Sequence, residues 1–355
     1  MLIIRPVAQR DLEDLLQLAH KAGQGMTSLP PCAETLQRTI NKSQASFDSL
    51  TPRAEDYFLL VLEDLDIHKV VGTAAIYART DSKQAFYAYR VMPAIHYSHS
   101  LAKEVRSDVL HLANDYTDCS EVGTLFVDPD YRGNGHWLAK ARYLFMGVFR
   151  ERFHSHVVAE LRGWLDDQGK SPFWDAIGQH FFEMSFDEAD RLCATGTNQF
   201  ITELMPKHPI YTRLLSEQAR AVLGKPHQDG RRALQLLEDE GFENENFIDI
   251  FDAGPMLRAK IDGLTSVKAI KKGAAAASSL AAETTGTATP ETATLAPQIV
   301  MNGRLNDLRI IKTPVTYANS SDSTTNNEAT IELAPSALDA LGIQAGDLIY
   351  TIDRS

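Results

Sequence analysis

The chain has 355 residues, of which 44% are hydrophobic, and a formal net charge of −12 at pH 7; this length can bury one large core or several smaller ones. The acidic balance argues against broad nucleic-acid binding, which needs clustered Lys and Arg, and suits a cationic substrate better. No apolar run approaches the roughly 18 to 20 residues that span a bilayer and the N-terminus has no signal core, so we expect a cytoplasmic protein that contacts no membrane.

The first half of the chain mixes helical and strand patterns. Apolar residues recur at helical spacing in the predicted helices and form short continuous runs in the predicted strands. In chain order, the predicted elements are a strand at 3–7, a helix beginning after residue 11, a helix at 33–42, a hairpin of strands 57–62 and 69–77, and a strand pair at 86–95 and 120–127.

The second half contains a segment of unusual composition. A predicted helix at 231–240 and a strand at 247–251 precede residues 273–297, which are dominated by Ala, Thr, Ser, Glu and Pro. This composition buries too little apolar surface to offset the entropy of ordering, so we predict a flexible linker there. Residues 298–355 regain strand patterns and predict a small β-rich module, whose acidic surplus argues against DNA binding.

The most informative local feature is a glycine-containing turn at 128–135. It follows the predicted strand at 120–127, leads into a helix, and is followed by a strand at 156–160. A glycine turn at a helix start directs unpaired backbone N–H groups and the positive end of the helix dipole at an anion such as a pyrophosphate. The alternative is an ordinary strand-to-helix turn, in which glycine only supplies a positive φ.

This strand, turn and helix resemble the acyl-CoA-binding motif of the GNAT acyltransferase superfamily, in which Arg-Gly-x-Gly before a helix cradles the CoA pyrophosphate. Trp137 departs from that motif, which usually has Gly or Ala at this position. Longer blocks resemble the arginine N-succinyltransferase family of bacterial arginine catabolism. The blocks are Thr27-Ser-Leu-Pro30, Glu121-x-x-Thr-Leu-Phe126, Val158-Ala-Glu-x-Arg-Gly163, Ser171-Pro-Phe-Trp174, Glu203-Leu-Met-Pro-Lys-His-Pro-Ile-Tyr211 and Phe247-Ile-Asp-Ile-Phe-Asp252.

The resemblance implies an α+β fold with a GNAT-like, mixed and mostly antiparallel sheet flanked by helices, followed by the small β-rich C-terminal module. The acyltransferase region is then residues 1–272, with an acyl-CoA-binding core at 1–165 and a second α/β half at 166–272. The implied reaction moves succinyl from succinyl-CoA to the α-amino group of L-arginine and gives N2-succinylarginine and CoA. The resemblance also implies a homo-oligomer or pairing with a related subunit.

Candidate site residues are carried over from the family by position. Leu125 matches the family's succinyl-CoA-contacting residue, and His227 matches its proton-donor histidine. The predicted acyl-CoA site comprises Leu125, Phe126, Val127, Arg132, Gly133, Asn134 and Gly135. No resident cofactor is expected, because succinyl-CoA is a co-substrate. No metal is expected either, since Cys32, Cys119 and Cys193 lack metal-ligand spacing, and we predict that they are buried thiols.

Elementary chemistry agrees with these roles. A backbone N–H at the end of a strand can stabilise the thioester oxygen, which gains negative charge as an amine attacks. The leaving thiolate has a pKa of about 8.5 if it resembles cysteine, and a histidine with an ordinary pKa of about 6.5 can protonate it. His208 is the competing histidine. Glu121, Glu160 and Glu203 are each either a partner for the arginine guanidinium or a member of a structural ion pair.

Two rival functions remain open. A GNAT-type enzyme could move another acyl group or use another amine such as ornithine, and only assays separate this rival from the first interpretation. A non-catalytic acyl-CoA-binding or assembly protein is the other rival, and it would tolerate His227→Ala without loss of any transfer rate.

Overall fold

The structure is a computed structural model that describes residues 1–23, 26–80, 85–195, 199–278, 296–318 and 329–353. Its strands are β1 (Leu2–Pro6), β2 (Tyr57–Asp64), β3 (Lys69–Tyr77), β4 (Ala88–Ser98), β5 (Lys103–Ala113), β6 (Ser120–Val127), β7 (His156–Glu160), β8 (Ile210–Tyr211), β9 (Glu243–Ile248), β10 (Pro255–Lys260), β11 (Lys271–Ala277), β12 (Gln298–Asn302), β13 (Ile310–Thr313), β14 (Thr316–Ala318), β15 (Ala329–Leu333) and β16 (Leu348–Ile352). Its α-helices are α1 (Leu12–Ala22), α2 (Ala33–Phe47), α3 (Gly135–Val148), α4 (Pro172–Ala176), α5 (Gly178–Phe182), α6 (Phe186–Thr195), α7 (Gln199–Leu204), α8 (Glu217–Val222), α9 (Arg231–Glu240), α10 (Thr265–Lys268) and α11 (Pro335–Leu341).

The strands follow one another in a single hydrogen-bonded order, β14-β15-β11-β16-β12-β13-β1-β2-β3-β6-β7-β10-β9-β4-β5-β8. Neighbours in this order are antiparallel except for β11 with β15 and β6 with β7. The prediction of a mixed, mostly antiparallel sheet flanked by helices is therefore confirmed. No helix within the described ranges is both long and apolar enough to cross a membrane.

Helices cover both faces of the sheet around β2 and β3. Side chains alternate between the two faces of a strand, so successive residues of β2 belong to different cores. Leu59 packs with Leu15 and Ile40 of α1 and α2, whereas Leu60 packs with Leu138 of α3 on the opposite face. A third core lies in the second half, where helices α4 to α8 pack against β4, β5 and β9.

The strand pair predicted at 86–95 and 120–127 is wrong in its partner. β4 pairs along its whole length with β5, an element absent from the predictions, and β6 lies between β3 and β7. The β5 strand begins with Lys-Glu-Val-Arg-Ser-Asp, and most of these side chains are exposed. Because this part of the strand contacts no core, it lacks the apolar run by which strands are recognised.

The C-terminal module extends the sheet beyond β1, where Ile4 pairs with Ile310 of β13. Strand β11 belongs to this module, since it pairs with β15 and β16. The linker predicted from residue 273 therefore begins too early. Its first five residues are alanine-rich but form part of a strand, in which the small side chain of Ala275 is buried in the module's core. Residues 279–295 lie outside the described residues, so the linker prediction there is untested.

Candidate active site

A gap opens between β6 and β7. The two strands run parallel and pair at Ser120 with Val157 and at Glu121 with Val158, and no further pairing follows within these fully described strands. β6 nevertheless continues to Val127 and β7 to Glu160. Strand edges that have separated present backbone N–H and C=O groups, with which an extended ligand can pair as an added strand would.

A β-bulge interrupts β6 beside this gap. The β3–β6 register shifts so that both Thr124 and Leu125 stand opposite Ala74. Thr124 has a φ of 52°, a left-handed value that is unfavourable for a β-branched residue. A bulge leaves a backbone group without its partner in the ladder. A backbone N–H of such a segment is the kind of group that can bind a carbonyl oxygen.

The turn after β6 is held in place by side-chain hydrogen bonds. The Asp128 carboxylate, at the end of the strand, accepts a hydrogen bond from Nζ of Lys21 on α1. The Tyr131 hydroxyl donates to Asp64 at 2.8 Å, and Nδ2 of Asn134 donates to the carbonyl of Tyr131 at 2.9 Å. These bonds fix the turn before a ligand arrives, so binding does not have to order it.

The start of α3 is open and favourable to anions. Gly133 has a φ of 98°, which glycine adopts without strain. A Cβ atom at Gly133 or Gly135 would meet no atom within 4 Å, and α3 has no acidic residue in its first turn. The free N–H groups and the positive helix end therefore face open space. Arg132 and Asn134 lie in the same turn, so the structure brings the predicted turn residues together.

The three strand residues of the predicted site are divided between the two faces of β6. Leu125 and Val127 pack against the core on the α3 side, and Phe126 packs against the core under α1 and α2. Trp137, the departure from the superfamily motif, is only 5% exposed and shares a core with Met301 of the C-terminal module. A large side chain is therefore accommodated there because the module covers this side of α3.

His227 lies beyond the end of β7. Its backbone N–H donates to the carbonyl of Arg162 at 2.8 Å, and Pro226 forms an isolated bridge with Gly163. Its side chain is 17% exposed, and Nδ1 accepts a hydrogen bond from the N–H of Asp229 at 3.3 Å. The Asp229 carboxylate also lies 3.3 Å from Nδ1. Nε2 is therefore the nitrogen left to exchange a proton with a substrate.

The register of the sheet places His227 and Leu125 on opposite sides of the gap. Glu121 and Val158 form the last pair, and Leu125 and Arg162 each follow four residues later. At about 3.3 Å per residue, Leu125 lies roughly 10 Å beyond that pair, because the bulge takes up one residue of β6, and Arg162 lies roughly 13 Å beyond it. Since His227 is bonded to Arg162, the two residues transferred from the family by position face the same gap.

Carboxyl groups from β6, β7 and the segment between β9 and β10 cluster near the end of β7 and form one wall of the gap. Glu160 ends β7 and is solvent-exposed, yet its pKa is raised well above the usual range. Desolvation by the surrounding protein is the main cause, followed by repulsion from Glu121, Asp249 and Asp252. The exposed Glu160 therefore belongs to a group of four neighbouring carboxyl groups. This wall favours a cationic ligand, whose charge would offset the repulsion.

The Asp252 side chain holds the chain segment around Gly163, which bridges to Pro226 beside His227, by hydrogen bonds that we call the Asp252 clamp. Its two carboxylate oxygens accept hydrogen bonds from the N–H groups of Gly163 at 2.7 Å and Gly254 at 2.8 Å. Burial raises the pKa of Asp252 to about 8, and the neighbouring Asp249 contributes. A Cβ atom on Gly163 would lie 2.2 Å from the carbonyl oxygen of Asp252. The close approach of the two chain segments therefore requires glycine at position 163.

We expect Gly163→Ala to lower the free energy of unfolding by about 1 to 3 kcal/mol, because the added methyl group must push the two segments apart. The same displacement moves Arg162 and the attached His227, so kcat should fall together with stability. Urea unfolding and steady-state kinetics measure the two effects. Gly230→Ala is the matched control, because its Cβ would meet only Pro226 at an ordinary 3.6 Å. Equal behaviour of the two variants would contradict the prediction.

Two other candidates lie away from the gap. Glu203 is exposed on α7 and accepts a hydrogen bond from Gln199 of the same helix at 2.8 Å. His208 is exposed in the loop before β8, which is the last strand of the sheet order and five positions from β7.

The prediction of buried thiols is correct for Cys119 and wrong for Cys32, which is exposed; the side chain of Cys193 lies outside the described residues.

Two site features have no counterpart in the sequence predictions. No sequence pattern marks the positive φ of Thr124, because threonine rarely adopts it. The Asp252 clamp has a weak signal, since Asp followed by Ala-Gly after a strand is typical of a turn in which the carboxylate accepts backbone hydrogen bonds. Its partner, Gly163, which follows β7, is identified only by the fold.

The chain is similar to known proteins along most of its length. Residues 2–266 match the family model described as arginine N-succinyltransferase beta subunit. Proteins named arginine N-succinyltransferase from Citrobacter koseri and Escherichia coli are 47% and 45% identical over 274 residues, or 77% of this chain and 79% of theirs. A solved structure described as arginine/ornithine succinyltransferase subunit AI from Pseudomonas aeruginosa matches with a TM-score of 0.84 at 31% identity, covering 100% of this chain and 99% of that one.

Proposed function

The chain belongs to the arginine N-succinyltransferase family, and on that premise we propose that it transfers succinyl from succinyl-CoA to the α-amino group of L-arginine. The products are N2-succinylarginine and CoA. The observation that carries the proposal is the gap between β6 and β7, which has an anion-binding turn on one side and a carboxylate wall on the other. A CoA thioester is an anion and arginine carries a cationic side chain, so the charges of the gap suit both substrates.

The donor binds along β6 in this proposal. Its pyrophosphate lies at the start of α3, over Gly133 and Gly135, where the backbone N–H groups and Arg132 meet it. The extended pantetheine arm follows the edge of β6 that faces the gap. The thioester carbonyl then reaches the bulge at Thr124 and Leu125, whose N–H stabilises the oxygen as it becomes negative.

The acceptor binds from the carboxylate side. Glu160 is the solvent-exposed member of the wall and Glu121 is its neighbour on the same face of the sheet, so we assign the guanidinium to Glu160 with Glu121 beside it. A planar guanidinium and a carboxylate form paired, charge-assisted hydrogen bonds. This orientation leaves the α-amino group free to approach the thioester.

The reaction is direct attack within a ternary complex. The unprotonated α-amino nitrogen forms a bond to the thioester carbon, and the C–S bond then breaks with its electron pair on sulfur. His227 gives a proton to the leaving thiolate. An α-ammonium group, with a pKa of about 8, loses two protons in becoming a neutral amide, so one proton goes to CoA and one is released overall.

The assay that tests the proposal is thiol release from succinyl-CoA with L-arginine, L-ornithine or no amine, with acetyl-CoA run in parallel. Rapid release that needs both succinyl-CoA and arginine is the expected result. Release with ornithine would add a second acceptor, an outcome favoured by the description of the Pseudomonas aeruginosa relative as an arginine/ornithine succinyltransferase. Absence of release with every pair would overturn the proposal in favour of a non-catalytic acyl-CoA-binding protein.

Self-association, as a homo-oligomer or with a related subunit, stays a prediction. Its support is indirect, because the matched family model is described as a beta subunit and the Pseudomonas aeruginosa relative as a subunit.

A further inference from the structure

Arg142 is a buried cation for which the proposed reaction has so far given no role. It lies on α3, is 3% exposed, and donates from Nη1 to the carbonyl of Gly123 on β6 at 3.2 Å. Its Nε atom is buried without a hydrogen-bond partner, and within the described part of the chain it forms no salt bridge. The guanidinium therefore has unused hydrogen-bonding capacity and no countercharge.

A buried arginine in this state is unfavourable for the folded protein. The guanidinium keeps its proton under all ordinary conditions, and removing an uncompensated charge from water is costly. Burial lowers the pKa of Arg142, and the neighbouring Tyr143 offsets this only in part. Arg152 is similarly buried at 6% exposure and its Nε also has no hydrogen-bond partner, but its guanidinium lies 3.4 Å from the carboxylate of Asp56, so the contrast between the two arginines is the countercharge. The comparison indicates that an anionic ligand completes the environment of Arg142.

The position of Arg142 identifies which part of the donor can reach it. Gly123 lies between the last β6–β7 pair, at Glu121, and the bulge at Thr124 and Leu125. The Gly123 carbonyl that Arg142 contacts is therefore near the closed end of the gap, and it lies one or two residues along β6, or roughly 3 to 7 Å, from the proposed thioester site. In a succinyl group, three C–C bonds of about 1.5 Å each separate the thioester carbon from the terminal carboxylate carbon. The length of the succinyl chain therefore agrees with the distance along β6 between the proposed thioester site and Gly123.

We propose that Arg142 binds the terminal carboxylate of the succinyl group and selects succinyl-CoA against acyl-CoAs with neutral chains. This inference rests on the proposed function. A carboxylate at this position supplies the missing countercharge and accepts the donor hydrogen of Nε, in the paired geometry that arginine and carboxylates form. A butyryl group has the same number of carbons but no charge, so it leaves Arg142 buried without a counterion.

The test compares kcat/KM for succinyl-CoA and butyryl-CoA, with L-arginine as acceptor, in the wild type and in Arg142→Gln. The ratio of the two values should fall at least about 10-fold, mainly through a higher KM for succinyl-CoA, since a hydrogen bond to a charged group is lost. Transfer from butyryl-CoA should be unchanged or faster, because a neutral side chain is less costly to bury. A folded Arg142→Gln variant with the wild-type ratio would overturn the inference.

Arg152→Gln is the matched control for damage to the fold. It also removes a buried guanidinium, but one that pairs with Asp56, so it should affect both acyl-CoAs equally and leave the ratio unchanged. Calorimetric Kd values for the two acyl-CoAs give the same comparison without turnover. A wild type that binds succinyl-CoA more tightly than butyryl-CoA but releases no CoA would contradict the proposed function alone, and loss of that preference in Arg142→Gln would still support the role of Arg142.

Discussion

His227→Ala is expected to lower kcat for arginine-dependent CoA release by about 10²-fold or more, with small changes in the KM of either substrate. In the proposed mechanism the imidazole protonates the thiolate as the C–S bond breaks, an interaction made in the transition state rather than in the bound substrates. Activity should remain measurable, because the bulge at Leu125 and the two binding walls still hold the reactants in place. Steady-state rates with both substrates varied provide the measurement.

His208→Ala is the control for this variant. His208 is exposed and far along the sheet from the gap, so its loss should change kcat by less than about 2-fold, as for an ordinary surface substitution. Full activity in His227→Ala would remove the histidine from the mechanism, as would an equal loss in the two variants. Unfolding curves for both proteins separate a chemical effect from a loss of structure.

Glu160→Gln is expected to raise the KM for L-arginine by about 10²-fold while the KM for succinyl-CoA changes by less than about 2-fold. The substitution keeps the size of the side chain but removes the charge that pairs with the guanidinium, and hydrogen bonds between charged groups contribute about 1.5 to 3 kcal/mol each. Glu203→Gln makes the same chemical change on the surface of α7 and should leave both KM values unaltered. Similar effects of the two substitutions would contradict the role of Glu160.

The charge of Glu160 also predicts how arginine binding depends on pH. Its pKa is raised in the free protein, chiefly by desolvation, so the carboxyl takes up a proton as the pH falls through a range above that of an ordinary glutamate. The neutral form binds a guanidinium poorly, so the KM for arginine should rise toward acidic pH. Bound arginine favours the ionised form, and its binding should therefore release protons. Glu160→Gln should lose this pH dependence, and a variant that kept it would show that another group is responsible.

The local elements of the donor site could be predicted from the sequence. The turn at 128–135 and the helix after it were predicted because Pro, Gly and apolar spacing act within a few residues of each other. Helix α9 has the predicted bounds for the same reason, since its apolar stripe, and the glycine that follows it, lie within one short segment. The blocks that resemble the arginine N-succinyltransferases indicate the family without reference to the fold.

The predictions failed where a residue's surroundings come from distant parts of the chain. The charged half of β5 has no apolar run, and the alanine-rich start of β11 has the composition of a linker, yet each forms a strand because a partner strand satisfies its backbone hydrogen bonds. Local composition carries no information about that partner.

By itself, the sequence determined the mixed α/β character, the glycine turn and the family. Only the tertiary structure decided that His227 is hydrogen-bonded to Arg162 beyond the end of β7, that Glu160 lies among three other carboxyl groups, and that Arg142 is buried without a countercharge from the described residues. The physical reason is that turn geometry depends on the φ and ψ preferences of neighbouring residues, whereas the electrostatic state of a side chain depends on which segments desolvate it and which charges they bring.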